Sequence, residues 1–330
     1  MNNTSYFWID NLRAIATIGV ILLHVSAAPV PLFGTIDINS WWIGNIIDGS
    51  VRFSVPIFFM VSGSLLLSKD YTLKDFFKKR FFRLIPPFIF WSLVYIIYDF
   101  IRAYYHGDTL TIIHLVKTML FKLYNNGSSF HLWFVYEIIG LYLFIPILRK
   151  WIKAAGKNEM LYFIFIWIFV ILFNYTALKA YYPIFNLIHF STYLGYMVLG
   201  YYLTNENNKI LNNKWFSLFL ILIGNLITII GTFVLSNKQG FFDTSLYVYL
   251  TLNVMLSASG VFLFFKNLTI NNKTIIKIIS LISSNSYGIY LVHLFILSII
   301  SKIGINLKMG HLLISIPVVV CTCLVVSTLI

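Results

Sequence analysis

Residues 215–235 read WFSLFLILIGNLITIIGTFVL, an uncharged run flanked by Lys214 and Lys238. The hydrocarbon core of a bilayer is about 30 Å thick, and a helix needs about 20 apolar residues to cross it. This run supplies that length. Comparable runs recur at about 10–28, 45–67, 84–103, 131–149, 160–178, 188–203, 246–265, 278–300 and 311–329. Those at 160–178 and 246–265 are equally plain, whereas 188–203 is short and 45–67 is interrupted by Asp48 and Arg52. Apolarity is continuous within each run instead of alternating, so helices that satisfy their own backbone in lipid are expected, not a barrel. Composition agrees: 59% of the 330 residues are hydrophobic and 11% charged, with a mean hydropathy of +0.84. A soluble domain carries about 25% charged residues. The expected fold is an all-α integral membrane protein, a bundle of about ten transmembrane helices.

Basic residues give that bundle a direction. Lys69, Lys74, Lys78, Lys79, Arg80 and Arg83 lie between the second and third runs, and Arg149, Lys150, Lys153 and Lys157 between the fourth and fifth. With Lys209, Lys214, Lys266, Lys273 and Lys277 they all fall in alternate loops, while the opposite loops hold only Lys117, Lys122, Lys179, Lys238, Lys302 and Lys308. The positive-inside rule then places the richer side, and the N-terminus, in the cytoplasm. The net charge of +13 follows mostly from this topology. Charge dispersed over membrane-flanking loops is a poor footprint for nucleic acid. The first run has no basic region before it and contains Asp10 and Arg13, so it reads as a retained span, not a cleaved signal peptide. Cys321 and Cys323 are two residues apart in the last run and face different ways, which argues against a disulfide or a metal pair. No soluble stretch is long enough to form another domain. Residues 1–330 are therefore expected to form a single membrane domain with no appended soluble domain.

Ionisable side chains near the middle of a bilayer cost at least ~2.5–3.5 kcal/mol each, which makes them functional candidates. They are few: Asp10, Arg13 and His24 in the first run, Asp48 and Arg52 in the second, Asp99 and Arg102 in the third, His131 and Glu137 in the fourth, His189 at the start of the sixth and His293 in the ninth. Arg13 and His24 are eleven residues apart, three helical turns plus about 20°, so they share one face at an axial separation of about 16 Å. A cation and an imidazole on one face suit a polar cavity. Snorkelling by Arg13 and an interhelical hydrogen bond from His24 would explain them equally well. By topology His24, His131, His189 and His293 all lie toward the outer side. Their spacing matches no metal-ligand pattern and carboxylates are scarce, so no metal is expected. Acid–base chemistry by an imidazole fits better.

The stretch KDYTLKDFFKKRFFR, residues 69–83, reads as an amphipathic helix on anionic headgroups or as a cytoplasmic phosphate-binding patch. Arg80 and Arg83 are three apart and could clamp a phosphate together, with Lys79 beside them. Pro86 and Pro87 are expected to bend the chain where the third run begins. Trp8, Trp41, Trp42, Trp133, Trp151 and Trp215 sit near span ends, as an aromatic belt would. Ser62-Gly63-Ser64 and the Gly195/Gly200 pair would permit close helix contact.

Five segments together resemble the membrane-bound acyltransferase-3 family: YFWIDNLRAIATIGVILLH (6–24), SVRFSVPIFFMVSGSLL in the second run, KKRFFRLIPP after it, HLWFVYEIIGLYLFIP in the fourth and SSNSYGIYLVH in the ninth. They occur in the family's order from residue 6 to residue 293. Within the family the likeness is to the stand-alone O-acetyltransferases of bacterial surface glycans, such as those acting on enterobacterial common antigen. The resemblance implies acyl transfer, usually of acetyl, from cytoplasmic acetyl-CoA to a hydroxyl of an extracytoplasmic or lipid-linked saccharide. It also implies residence in the bacterial cytoplasmic (inner) membrane, in contact with glycan-synthesis enzymes. His24 matches the family's essential histidine and Arg13 its partner arginine. Arg80 and Arg83 match the RxxR element associated with CoA, His131 and Trp133 the HLWF element, and His293 the histidine ending SYGIYLxH. Glu137, in the same segment, is a further candidate for the cavity. Tyr6, Asp10 and Arg52 are further candidates for orienting Arg13 or lining the route. His24 would act as general base or, alternatively, as a transient acyl carrier. A hydrolase-like domain carried by many relatives is absent, so transfer would be completed in the membrane domain or by a partner. The rival reading is a transporter of a glycan or an acylated compound. Against it, no pair of matching Gly/Pro-broken spans marks an inverted repeat.

Overall fold

The computed structural model describes residues 7–107, 112–124, 127–175, 178–184, 187–190 and 192–330; Tyr6 lies outside them. Regular structure among the described residues is helical throughout: α1 (Phe7–Ser26), α2 (Ile38–Ser50), α3 (Ser54–Leu66), α4 (Leu73–Tyr105), α5 (Ile112–Tyr124), α6 (Trp133–Ala154), α7 (Lys157–Leu172), α8 (Leu194–Asn205), α9 (Lys214–Gln239), α10 (Leu252–Lys266), α11 (Lys273–Lys302) and α12 (Leu312–Leu329), with short 3-10 turns between them. Each of the ten expected runs contains helix among its described residues. Eight segments of the described residues are long and apolar enough to cross a membrane. The other two are α7, with 16 residues, and α8, with 12. The run at 160–178 stays apolar, yet α7 ends at Leu172 because Asn174 donates to the Leu250 carbonyl (2.6 Å) and Tyr175 to the Asn253 side chain (2.8 Å). Those bonds fix the turn that ends the helix.

Helix α9 shows which solvent the fold is built for. Leu218, Leu222, Leu226, Ile230 and Val234, spaced four apart, are exposed, whereas Ser217, Gly224, Thr228, Thr232 and Ser236 are buried. A water-soluble helix has the reverse pattern, because each large aliphatic side chain gains about 1.5–3 kcal/mol by leaving water. Small residues inside and aliphatics outside are what helix packing in lipid selects. The chain is a multi-pass membrane protein.

The chain forms two compact units. The first comprises Met1–Ser68 with Trp151–Ile330. Here α1 packs against α2, α3, α10, α11 and α12, and α9 pairs with α10. Helices α3 and α8 approach through glycine: a Cβ on Gly63 would overlap the Met197 backbone, and one on Gly200 the Met60 backbone. Ser64 ties the crossing by donating to the Gly200 carbonyl at 3.1 Å. Trp41 is fully buried, stacks edge-on against Phe33 and donates to the Val30 carbonyl (2.9 Å), so it is a core residue and not part of an aromatic belt. The second run is two helices, broken at 51–53. Pro56 explains the break, since its ring would collide with the Arg52 carbonyl in an unbroken helix and it offers no N–H to that carbonyl.

The second unit, Lys69–Lys150, contains α4, α5 and α6. Thr72 caps α4 by accepting from the Asp75 N–H (3.1 Å). The helix then runs without a break through Pro86 and Pro87 for 33 residues, so residues 73–83 of the basic stretch are helical, as the amphipathic reading expects, and continuous with the third run. Asp99 on α4 pairs with Lys122 on α5 at 2.6 Å, which gives that intramembrane carboxylate a structural partner.

Candidate active site

Helices α1 and α11 build the core of the site. Ser283 on α11 donates to Asp10 on α1 (2.6 Å), and further along both helices the rings of His24 and His293 lie 5.1 Å apart, tilted by 33°. Both pairings advance in the same direction, so α1 and α11 run parallel. His293 has no exposed surface, whereas His24 is half-buried. Nδ1 of His293 lies 2.7 Å from the Tyr290 carbonyl and 3.2 Å from that of Ile289. A carbonyl only accepts, so Nδ1 carries the proton and Nε2 the lone pair in the neutral ring. The tautomer is fixed by the protein's own helix. From α12, Cys323 Sγ donates to the His293 carbonyl at 3.5 Å, while Cys321 is exposed.

The broken second run supplies the charges. Arg52, in the break, pairs with Asp48 one turn back at 2.5 Å, and Asp48 is 1% exposed. The guanidinium lies 4.0 Å above the Tyr247 ring and 5.9 Å from that of Tyr249, and its Nη1 reaches the Tyr247 carbonyl at 3.4 Å. Tyr247 in turn donates its hydroxyl to the Asn45 side chain (2.6 Å), while Asn45 donates to the Ile229 carbonyl (3.0 Å). Two glycine contacts set the height of this cluster along α1. A Cβ on Gly44 would lie 3.2 Å from the Ser26 carbonyl, and one on Gly19 would overlap the Ser54 hydroxyl. Residues 44–54 therefore run antiparallel beside 19–26, which puts Asp48 and the Arg52 guanidinium at the level of His24. Both His293 and Arg52 are within electrostatic reach of the His24 imidazole.

Arg13 is half-buried on α1, about 16 Å along the helix from His24. Asp10, one turn earlier, is held by Ser283. Of the four histidines expected together, His24 and His293 meet. His189 is exposed on the Ile188–Phe190 turn, and His131 belongs to the second unit.

That unit gathers the cations. Arg149, nearly buried, donates to the Tyr71 carbonyl (2.7 Å) and the Lys69 carbonyl (3.2 Å). The charged groups of Lys79, Arg80 and Arg149 each lie 5.9 Å from the Tyr71 ring, and Arg80 reaches its hydroxyl at 3.4 Å. Arg83, one turn after Arg80 on α4, is exposed. Elsewhere in the unit, His131 is buried with Nδ1 3.0 Å from the Ser129 hydroxyl and its ring 5.5 Å from that of Tyr95. Trp133 opens α6 and Glu137 follows one turn on, both half-buried. No group of three or more His, Cys, Asp and Glu among the described residues is arranged to hold a metal ion. Sequence reasoning missed Tyr247, Tyr71 and Arg149. Only a tyrosine beside a cation could have flagged the second, and nothing local flags the first.

Comparison with known proteins bears on the family of the chain. No solved structure matches the chain. A protein of the Acidianus two-tailed virus, ORF330, provisionally named an acetyltransferase, is 24% identical over 314 residues, covering 91% of this chain and 86% of that protein. The family model described as "Acyltransferase domain" (Acyl_transf_3) matches residues 6–330 and so spans both units and every residue discussed above; the chain belongs to the acyltransferase-3 family.

Proposed function

We propose that this acyltransferase takes an acyl group, acetyl in the first instance, from cytoplasmic acetyl-CoA and places it on a hydroxyl of a cell-envelope saccharide, lipid-linked or within a polysaccharide. It would do so in a bacterial cytoplasmic membrane, beside the enzymes that build that glycan. The observation that carries the reading is the His24–His293 pair. His293 is locked with its lone pair on Nε2, and a 5.1 Å spacing between ring centres suits two imidazoles meeting through nitrogen. With the two rings turned to face each other, His293 would accept the N–H of His24 and leave the other His24 nitrogen as a base. The acceptor hydroxyl gives its proton to that nitrogen as its oxygen attacks the thioester carbonyl carbon. A tetrahedral oxyanion forms and collapses, the C–S bond breaks, and the thiolate of CoA leaves with the proton held by His24. Atoms and charge balance without an acyl-histidine intermediate. Lys79, Arg80 and Arg83 suit the phosphates of CoA, Arg13 and Asp10 suit the route along α1, and His131, Trp133 and Glu137 suit the acceptor.

The test is thiol release from acetyl-CoA by the purified protein, with glycan acetylation followed in cells. His24→Ala is expected to abolish both while the protein still inserts in the membrane. A wild type that releases no thiol from any acyl-CoA would favour transport, and full activity in His24→Ala would remove His24 from the mechanism.

A further inference from the structure

We propose that Arg52 is a catalytic residue that stabilises the oxyanion formed on the thioester carbonyl during acyl transfer. The inference rests on the acyl-transfer reading above and adds to it the group that meets the developing negative charge. The reaction needs a fixed donor at the height of the base, and Arg13 is about 16 Å away along α1, too far to serve. Arg52 is a cation at the level of His24, placed there by the antiparallel run of residues 44–54 beside α1.

Three features suit Arg52 to the task. Its guanidinium is held on three sides, by Asp48 at 2.5 Å, by the face of Tyr247 at 4.0 Å and by the Tyr247 carbonyl at 3.4 Å, so it needs little reorganisation when charge develops. Among the described residues its Nε is a buried donor that makes no hydrogen bond. A guanidinium kept for structure alone would be expected to close that donor, since buried polar groups are almost always paired. Finally, the cluster is screened from water, with the side chains of Asp48 and Arg52 1% and 13% exposed, and a fixed donor there acts far more strongly than in water. As the acceptor oxygen bonds to carbon and its proton passes to His24, the carbonyl π pair moves onto oxygen opposite the guanidinium. When the C–S bond breaks, that pair returns and the contact weakens. Arg52 thus favours the transition state over the bound thioester, which raises kcat more than it lowers KM.

Removing one member of a buried pair strands the other charge, so the decisive comparison is Asp48→Asn against the double variant Asp48→Asn/Arg52→Gln. Thiol release from acetyl-CoA would be followed with N-acetylglucosamine or water as acceptor. The double variant is expected to have a kcat about 10²–10³-fold below that of Asp48→Asn, with the acetyl-CoA KM within about threefold. Arg52→Lys, which keeps a charge but not the planar donor, should fall between wild type and the double variant. A double variant with kcat within about threefold of Asp48→Asn, or a loss confined to KM, overturns the proposal. If His24→Ala is dead while the Arg52 variants turn over normally, the acyl-transfer reading stands and this one falls. A wild type silent toward acetyl-CoA sinks both.

Discussion

Replacing His293 tests the architecture of the site most directly, because its two ring nitrogens have separate duties. Nδ1 is bonded to its own helix, at 2.7 Å from the Tyr290 carbonyl, and Nε2 is the acceptor proposed for His24. Asparagine places an amide nitrogen near the Nδ1 position and nothing near Nε2. Glutamine reaches farther and can present its carbonyl oxygen where Nε2 stands. Alanine removes both. Loss of the helix bond is a neutral hydrogen bond worth about 0.5–1.5 kcal/mol, and truncation of a fully buried ring adds a cavity, so His293→Ala should lose roughly 2–4 kcal/mol of stability. The catalytic effect is separable. Misorienting a general base costs at least about 10²-fold, near the low end because the orienting partner is neutral and not a carboxylate. His293→Ala and His293→Asn should therefore both lose about 10²-fold in kcat for thiol release from acetyl-CoA, whereas His293→Gln should recover about tenfold of it. Thermal unfolding in detergent should rank the variants differently, with asparagine above alanine. Wild-type kcat in His293→Asn, or a glutamine variant no better than alanine, would refute the dyad.

Two other outcomes follow from parts of the fold away from the chemistry. At the α3–α8 crossing, Gly63→Ala and Gly200→Ala each force a methyl onto backbone and should cost about 1–3 kcal/mol, with the double variant costing less than the two together because one separation of the helices relieves both; Gly140→Ala and Gly288→Ala, with nothing within 4 Å of the new methyl, should be neutral or stabilising, and equal melting temperatures for all four would contradict the packing. Asp37 caps α2, and hydrogen bonds from the Ser40 side chain and from the backbone N–H groups of Ser40 and Asn39 hold its carboxyl below the usual carboxylate range. A lowered folded pKa means stabilisation that is complete above the unfolded value of about 3.9 and is lost as pH falls through the folded one. Wild type should thus lose its advantage over the non-titrating Asp37→Asn between about pH 5 and 3, and a pH-independent difference would count against the cap.

The spans were legible because lipid demands them: a run such as 215–235 permits little else than a helix. What the runs hide is where a helix stops. The end of α7 depends on Asn174 and Tyr175 bonding to residues 76 and 78 positions away, and no local pattern announces it. Asp48 and Arg52 were visible as charges in an apolar run, and Pro56 holds the reason for the break in plain view. Their use was not visible, since the surface that holds the guanidinium is Tyr247, 195 residues later. His24 and His293 were each recognisable as misplaced polar groups. Their contact required knowing that the first and eleventh helices are neighbours and run the same way. Trp41 shows the converse error: an aromatic near a span end looks interfacial until Phe33 and the Val30 carbonyl close around it.

The parallel pairing of α1 with α11 also sets a timetable. Asp10 and Ser283, which join these helices, are 273 residues apart. At a synthesis rate of about 5–20 residues per second, α1 is made some 14–55 s before its partner. During that interval Asp10 and His24 wait in or beside the lipid without the groups that finally hold them. The nascent first helix must be carried by the neighbours already made, α2 and α3 above all. The pair comes together only when nearly the whole chain has been delivered, so a chain cut short before α11 would hold His24 without His293 and, on the proposed mechanism, could not begin the reaction on a half-built bundle.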